Sequence, residues 1–419
     1  MPSSSITAHP ATQSAVQPTA QPAAHGAAPL SVAIIGAGIG GLTAASHLRR
    51  LGIEVQIFEQ ASQFARVGAG IQMTPNPMKV LRGMGLEQRL REVAFEPVSG
   101  LNRDFDTGAV SNELPVAGVI EQRYGTPFLC LHRGDLHAAI ESLVPPEIVH
   151  LKKKVVDVRQ NEDRVSMRFA DGTNYSADAL IAADGVHSAV REILFGAEKP
   201  RFTGRVAYRS TFPAALLGGK PFAPSRTKWW GKDRHIVMYY TTARRDEIYF
   251  TTSQPEEAGW MTRESWSMKG DLTVLRQAFR EFHPDVRAVL DACPEVWKWA
   301  ILERDPLPHW TRGRITLLGD ACHPMPPYMA QGAAQSIEDA AVLARCLAGV
   351  DADHVGAALL RYEHTRKPRA SEIQTRSGKN NWMQKETNPD SVYGYDALTA
   401  PLAEAIVTTP VLRSGGQHA

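Results

Sequence analysis

Val32-Ala33-Ile34-Ile35-Gly36-Ala37-Gly38-Ile39-Gly40-Gly41 leads into apolar residues at helical spacing, Leu42, Ala45 and Leu48, and then into a second apolar run, Glu54 to Phe58, that stops on Glu59. The β-branched run predicts a strand, the glycines a turn, and the whole a βαβ unit folded around a pyrophosphate. Gly36 allows the tight turn, and Gly38 leaves room for phosphate against bare backbone. Gly41, with Gly40 beside it, lets helix and strand pack closely. The helix N-terminus adds free N–H groups and a partial positive charge. Glu59, followed by Gln60, stands where an acid takes ribose hydroxyls. The fingerprint alone leaves NAD and FAD both open.

Two later segments bear on that choice. Ala179-Leu180-Ile181-Ala182-Ala183 runs into Asp184-Gly185, with Ser188 and Arg191 on the helix that follows. Arg314-Ile315-Thr316-Leu317-Leu318 breaks in the same way at Gly319-Asp320, ahead of Cys322-His323-Pro324. Both read as strands whose carboxyl ends open onto the ligand crevice of an α/β sheet. Asp184 and Asp320 also suit plain helix capping, which is compatible with binding a cofactor.

With these three motifs in this order the chain resembles the flavin-dependent aromatic hydroxylases, the salicylate and para-hydroxybenzoate hydroxylase family, from about Ser31 to about Arg376. The resemblance implies an α/β FAD-binding Rossmann-like domain with an inserted strand-rich substrate domain. It implies that Asp184 serves the pyrophosphate region, that Asp320 bonds the FAD ribityl chain, and that Arg133 reaches the phosphate and ribityl region. The backbone of Met329-Ala330-Gln331-Gly332 would approach the flavin ring. Molecular oxygen would be the co-substrate, with hydroxylation through a flavin C4a-hydroperoxide. No second glycine fingerprint serves a nicotinamide, so NADH, with NADPH left open, would bind transiently.

Within that family, Arg66 to Asn76, His132-Arg133-Gly134-Asp135-Leu136-His137 and Lys228 to Thr242 are most similar to the branch that hydroxylates hydroxypyridine carboxylates such as 6-hydroxynicotinate, where decarboxylation can accompany hydroxylation. A ring hydroxyl must lose its proton to activate the ring, and His235 is the candidate to take it, since imidazole titrates near working pH. Tyr239, four residues along the same strand, shares its face and would bond a substrate oxygen. The plainer alternatives are a strand histidine bonded to a neighbour and a core aromatic. Trp229, Trp230 and Tyr240 read as a flat aromatic wall or as core.

Three positions depart from the branch. Gln72, Arg226 and Tyr328 stand where it carries histidine, cysteine and histidine in the active site. Arg226 adds a planar fork suited to a carboxylate, so the substrate would carry its carboxylate at another ring position, as in 6-hydroxypicolinate, or carry a second one; a salicylate-type acid is a further alternative for the same chemistry. Its Pro224-Ser225 context reads equally as a solvent-facing loop.

The 419 residues carry a formal net charge of +2, which points to neither nucleic acid nor an acidic membrane surface and suits a small aromatic carboxylate. Cys130, Cys293, Cys322 and Cys346 have no metal-type spacing, and reduced thiols in a cytoplasm are expected. Met1 to Leu30 contains no Lys, Arg, Asp or Glu and reads as a disordered tail rather than a signal peptide. The expected organisation is that tail, a FAD-binding part over 31–203, a strand-rich substrate domain over 204–299, a return to the FAD fold over 300–380, and a loosely placed segment over 381–419. A helix is expected over Met78 to Val93 and a β-meander over Val155 to Ala177, turning at Asp171-Gly172. FAD proteins that act as reductases or bind prenylated partners lean on anchoring helices or apolar grooves, and the sequence offers neither.

Overall fold

The computed structural model describes residues 29–64, 69–257, 268–385 and 387–405. The expected tail up to residue 28, the Arg66-to-Gly68 part of the branch-like run and the last fourteen residues lie outside them. Leu30 is buried, and its carbonyl accepts a hydrogen bond from the Glu54 amide at 2.9 Å, so it belongs to the sheet rather than to the tail.

The opening motif folds as read: strand Ser31–Ile35, helix Ile39–Arg50, strand Glu54–Phe58. The two strands pair in parallel, and Ala179–Ala182 flanks the first on its other side. Ile315–Leu317 continues the sheet beyond Ala179–Ala182, and Val149–His150 beyond Glu54–Phe58. The chain thus leaves Ser31–Ile35 toward both edges, and the carboxyl ends of its central strands deliver Gly36, Glu59, Asp184 and Asp320 to one crevice. This is the topological switch point of an open α/β sheet. Helices Ile39–Arg50 and Gly332–Leu347 pack together, and their apolar residues join the sheet's in one core.

The meander forms from Val155–Gln160, Val165–Phe169 and Asn174–Ala177, with Gly172 at φ +85° in its turn. The helix expected over Met78 to Val93 is two, Pro75–Gly83 and Glu87–Val93, because Gly85 adopts φ +84° between them.

A seven-stranded sheet stands against this domain, in the order Trp297–Glu303, Arg201–Pro213, Glu247–Pro255, His235–Tyr240, Arg226–Trp230, Ser99–Asp104, Val110–Pro115. It reaches beyond the 204–299 segment, because Ser99–Asp104 pairs in parallel with Arg226–Trp230 and brings its hairpin partner with it. One face packs on helices Leu272–Ala278 and Pro284–Ala292 through Trp229, Ile236, Met238 and Phe250. The other face looks toward the crevice. Trp382, Met383 and Tyr393, in the segment expected to be loosely placed, are buried with Val237, Tyr239 and Tyr249 from that face. No helix among the described residues is long and apolar enough to cross a membrane.

Candidate active site

The crevice is a cavity of about 780 Å³ lined by Gly36, Gly38, Glu59, Gln60, Arg133, Asp184 and Asp320 among others. Gly36 sits at φ +101°, and a Cβ there would lie 2.4 Å from the Ala183 carbonyl oxygen, so only glycine makes this turn. Gly38 is the opposite case: a Cβ would meet nothing within 4 Å. Its bareness serves something outside the protein. No side chain caps the helix that begins there and no acid lies in its first turn, which leaves the N–H groups and the positive end of the dipole facing the cavity. Gly40 and Gly41 lie behind, where added Cβ atoms would strike Leu318 and the Gly36 carbonyl.

Glu59 accepts from the amides of Ala37 at 2.9 Å and Ala61 at 2.8 Å, which fixes its carboxylate at the cavity rim with lone pairs to spare for hydroxyls. Asp184 does both things expected of it. One oxygen accepts from the Val190 amide at 3.2 Å, while the other is buried, lacks a hydrogen-bond partner and belongs to a residue lining the cavity. Burial raises its pKa. Asp320 opens onto the cavity but is enclosed by protein, so desolvation raises its pKa against the pull of His323 and Arg133. Arg133 faces it, its own pKa lowered by burial and lifted by Asp320. Gly332 adjoins, with room for a Cβ only 3.7 Å from an Asp320 carboxylate oxygen. The buried Arg191 guanidinium ties the two aspartate loops by donating to the carbonyls of Ala321 at 2.9 Å and Val186 at 2.8 Å.

Below the Gly319-Asp320 turn, Asp339 accepts from His323 Nε2 at 2.6 Å, from the Gly319 amide at 3.1 Å and from Arg366 Nε at 2.8 Å. His323 is therefore structural. Cys322 is buried, with its thiol pKa pushed well up by burial, and has no nucleophile's environment.

The loop Pro324 to Gln331 separates this cavity from a second, much smaller one of about 20 Å³ lined by Gln72, Asn102, Arg226, Met329, Trp382 and Tyr393. Arg226 lies on a strand, not on a solvent-facing loop. Its side chain is partly open to this cavity and otherwise enclosed, with Nε buried and lacking a hydrogen-bond partner. Burial lowers its pKa. His235 and Tyr239 are buried on the neighbouring strand, two pleats apart on the same face. The His235 ring lies 5.6 Å from that of Tyr328, edge to face, and the Tyr328 hydroxyl is 3.0 Å from Ser253 Oγ. Tyr239 shares a hydrogen bond with Gln72 and packs at 5.2 Å on Tyr249. His235, Tyr239 and Arg226 thus share one sheet face, Gln72 reaches Tyr239 from the strand Gly70–Met73, and Tyr328 reaches His235 from the loop; of the five, Gln72 and Arg226 line the smaller cavity. Burial holds His235 well below its ordinary pKa, helped by Lys228, Arg205 and Arg226, and pushes Tyr239 well above its own.

The aromatic wall does not form. Strand alternation turns Trp229 and Tyr240 to the opposite side, where Trp229 stacks on His283 at 5.0 Å and Tyr240 meets Phe222 at 4.7 Å. Trp230 alone stays, donating to Asn102 Oδ1 at 2.9 Å. Sequence reading missed Lys228, Asn102, Tyr249 and Ser253. The hairpin register, Tyr239 opposite Tyr249 and His235 opposite Ser253, was the available signal for the last two.

The sequence profile of the FAD binding domain family matches residues 29–377. The chain is 44% identical over 373 residues to 6-hydroxynicotinate 3-monooxygenase of Bordetella bronchiseptica, covering 89% of this chain and 97% of that one. It is 38% identical to 3-amino-4-hydroxybenzoate 2-monooxygenase PtnB3 of Streptomyces platensis, covering 83% and 86%. A salicylate hydroxylase substrate complex superposes with a TM-score of 0.77 at 25% identity, covering 88% and 96%. With its crevice built for a dinucleotide and these relatives, the chain belongs to the FAD-dependent aromatic monooxygenases.

Proposed function

We propose that the protein hydroxylates a hydroxypyridine carboxylate of the 6-hydroxynicotinate kind, with NADH as the reductant. The observation that carries this reading is the sheet face beside the FAD crevice, which carries His235, Tyr239 and Arg226, with Tyr328 of the loop the flavin ring would share packed edge to face on His235. The similarity to 6-hydroxynicotinate 3-monooxygenase over most of both chains supports the ring class.

FAD, when bound, supplies the electron transfer and activated oxygen. The chain does the rest. The helix start at Gly38 holds the pyrophosphate, Glu59 the ribose, and Asp320 with Arg133 the ribityl region. Arg226 pairs with the substrate carboxylate in a site where water cannot compete. Burial, with Lys228, Arg205 and Arg226, disfavours protonation of His235. An anionic substrate offsets those cations, raises the basicity of the imidazole and lets it take the ring hydroxyl proton. Tyr239, kept protonated, donates to a ring oxygen. Trp382, Met383 and Tyr393 close the pocket against solvent.

Arg226 favours a second reading within the same chemistry, in which the carboxylate sits at another ring position, as in 6-hydroxypicolinate. NADH oxidation by the purified flavoprotein with 6-hydroxynicotinate, 6-hydroxypicolinate, salicylate and para-hydroxybenzoate decides between them. The highest kcat/KM on a hydroxypyridine carboxylate is expected. A clear preference for a benzoate overturns the ring assignment.

A further inference from the structure

Lys228 lies on the strand Arg226–Trp230, opposite Val237 and therefore between His235 and Tyr239 on the crevice-facing side of the sheet. It is buried, and its ammonium rests 3.6 Å over the Trp230 ring. The same Trp230 holds the Asn102 carbonyl oxygen, while Asn102 Nδ2, buried and lining the cavity, has no hydrogen-bond partner. Arg226 Nε is in the same condition. The charges acting on Lys228 are those of Arg226 and Arg205, and those acting on His235 are Lys228, Arg205 and Arg226. Among the described residues, then, this face collects donors and cations, with no carboxylate among the groups acting on them.

Burying one cation without a counter-charge is unfavourable, and burying two side by side more so. A ligand that brings only a carboxylate offsets one of them. We propose that Lys228 contacts the substrate. Its ammonium and the Arg226 guanidinium form two adjacent seats, so the pocket takes its aromatic acid as a dianion. The carboxylate sits on Arg226 and the deprotonated ring oxygen on Lys228, and the hydroxyl proton passes to His235. Asn102 Nδ2 donates to the same anion. This deepens the reading given under Proposed function and rests on it. Burial and the neighbouring arginines lower the Lys228 pKa, and an anion bound beside it acts in the opposite direction and holds the ammonium charged.

The test is titration of the FAD-loaded protein, followed by flavin absorbance, with 6-hydroxynicotinate and with nicotinate, which has the carboxylate but no ring oxygen. The variants are Lys228→Met and Lys228→Arg, with FAD content measured in each. Wild type should bind 6-hydroxynicotinate at least about 100-fold more tightly than nicotinate, as expected for an added desolvated charge pair. Lys228→Met should lose about that factor for 6-hydroxynicotinate while changing nicotinate binding less than about threefold, and Lys228→Arg should fall between. Equal losses for both ligands, or none, would overturn the inference. If Lys228→Met does not retain FAD, Lys228→Arg decides alone: unchanged or equally changed affinities for the two ligands count against the proposal. Wild type that binds neither ring acid defeats the substrate reading itself, and this inference with it.

Discussion

Replacing Gly38 with alanine separates cofactor binding from folding. Gly38 has φ −75° and ψ −177°, which alanine adopts without strain, and its Cβ would meet no atom of the protein. In the FAD-free protein the entropic gain of Gly→Ala, about 0.4–1 kcal/mol, offsets a loss of similar size from a poorer helix N-cap, so stability should move by less than about 1 kcal/mol. With FAD the balance differs. A methyl where the pyrophosphate approaches the backbone costs one or two charge-assisted hydrogen bonds at about 1.5–3 kcal/mol each. A loss of about 2–5 kcal/mol corresponds to roughly 30-fold to a few thousandfold weaker binding. Urea unfolding of FAD-free protein and FAD titration by fluorescence quenching measure the two quantities separately. Gly36→Ala is the control, because its φ of +101° and the 2.4 Å approach to the Ala183 carbonyl should destabilise the chain before any FAD is added. A Gly38→Ala protein that binds FAD with wild-type affinity would refute the placement of the pyrophosphate.

His235→Gln should lower the hydroxylation rate by about 10²-fold or more, with hydrogen peroxide rising, whereas Tyr239→Phe should raise KM more than it lowers kcat. Stopped-flow oxidation of the reduced enzyme with product analysis measures both. Arg226→Cys should weaken binding of the preferred acid by about 2–5 kcal/mol and shift the kcat/KM ratio between 6-hydroxypicolinate and 6-hydroxynicotinate toward the latter. An unchanged ratio would remove Arg226 from carboxylate recognition. Burial, with Arg50 adding to it, holds His47 at a pKa of about 4, below the 6.5 of the unfolded chain. The unfolded state therefore binds the extra proton, and this group's contribution is present above about pH 6.5 and lost toward pH 4, amounting to about 3 kcal/mol. His47→Leu should flatten the fall in the urea midpoint between pH 7 and 4.5 by that order.

The FAD half of the molecule was legible because its signals are local. A strand, a glycine turn and an acid occupy one continuous stretch, and Gly36, Glu59, Asp184 and Asp320 all line the crevice that this pattern implied. Period-two alternation likewise put His235 and Tyr239 on one face. The same rule, carried to Trp229 and Tyr240, would have sent both to the far side. The remainder depends on pairing between distant segments. That Ser99–Asp104 joins the second sheet, that Asn102 lies beside Lys228, and that Trp382 and Tyr393 cover the pocket are facts of tertiary register, and no local pattern carries them. Leu30 entered the tail only because composition, not packing, drew that boundary.

The central claim, hydroxylation of a hydroxypyridine carboxylate at the face carrying His235, Tyr239 and Arg226, is tested most directly by one turnover experiment under oxygen-18 gas. The FAD-loaded protein is given NADH and 6-hydroxynicotinate or 6-hydroxypicolinate, and the product is weighed by mass spectrometry. One labelled oxygen atom in the ring product for each NADH oxidised is the predicted result, with or without loss of the carboxylate. NADH consumed with only hydrogen peroxide formed from both pyridine acids, while a hydroxybenzoate gains the label, would contradict the account.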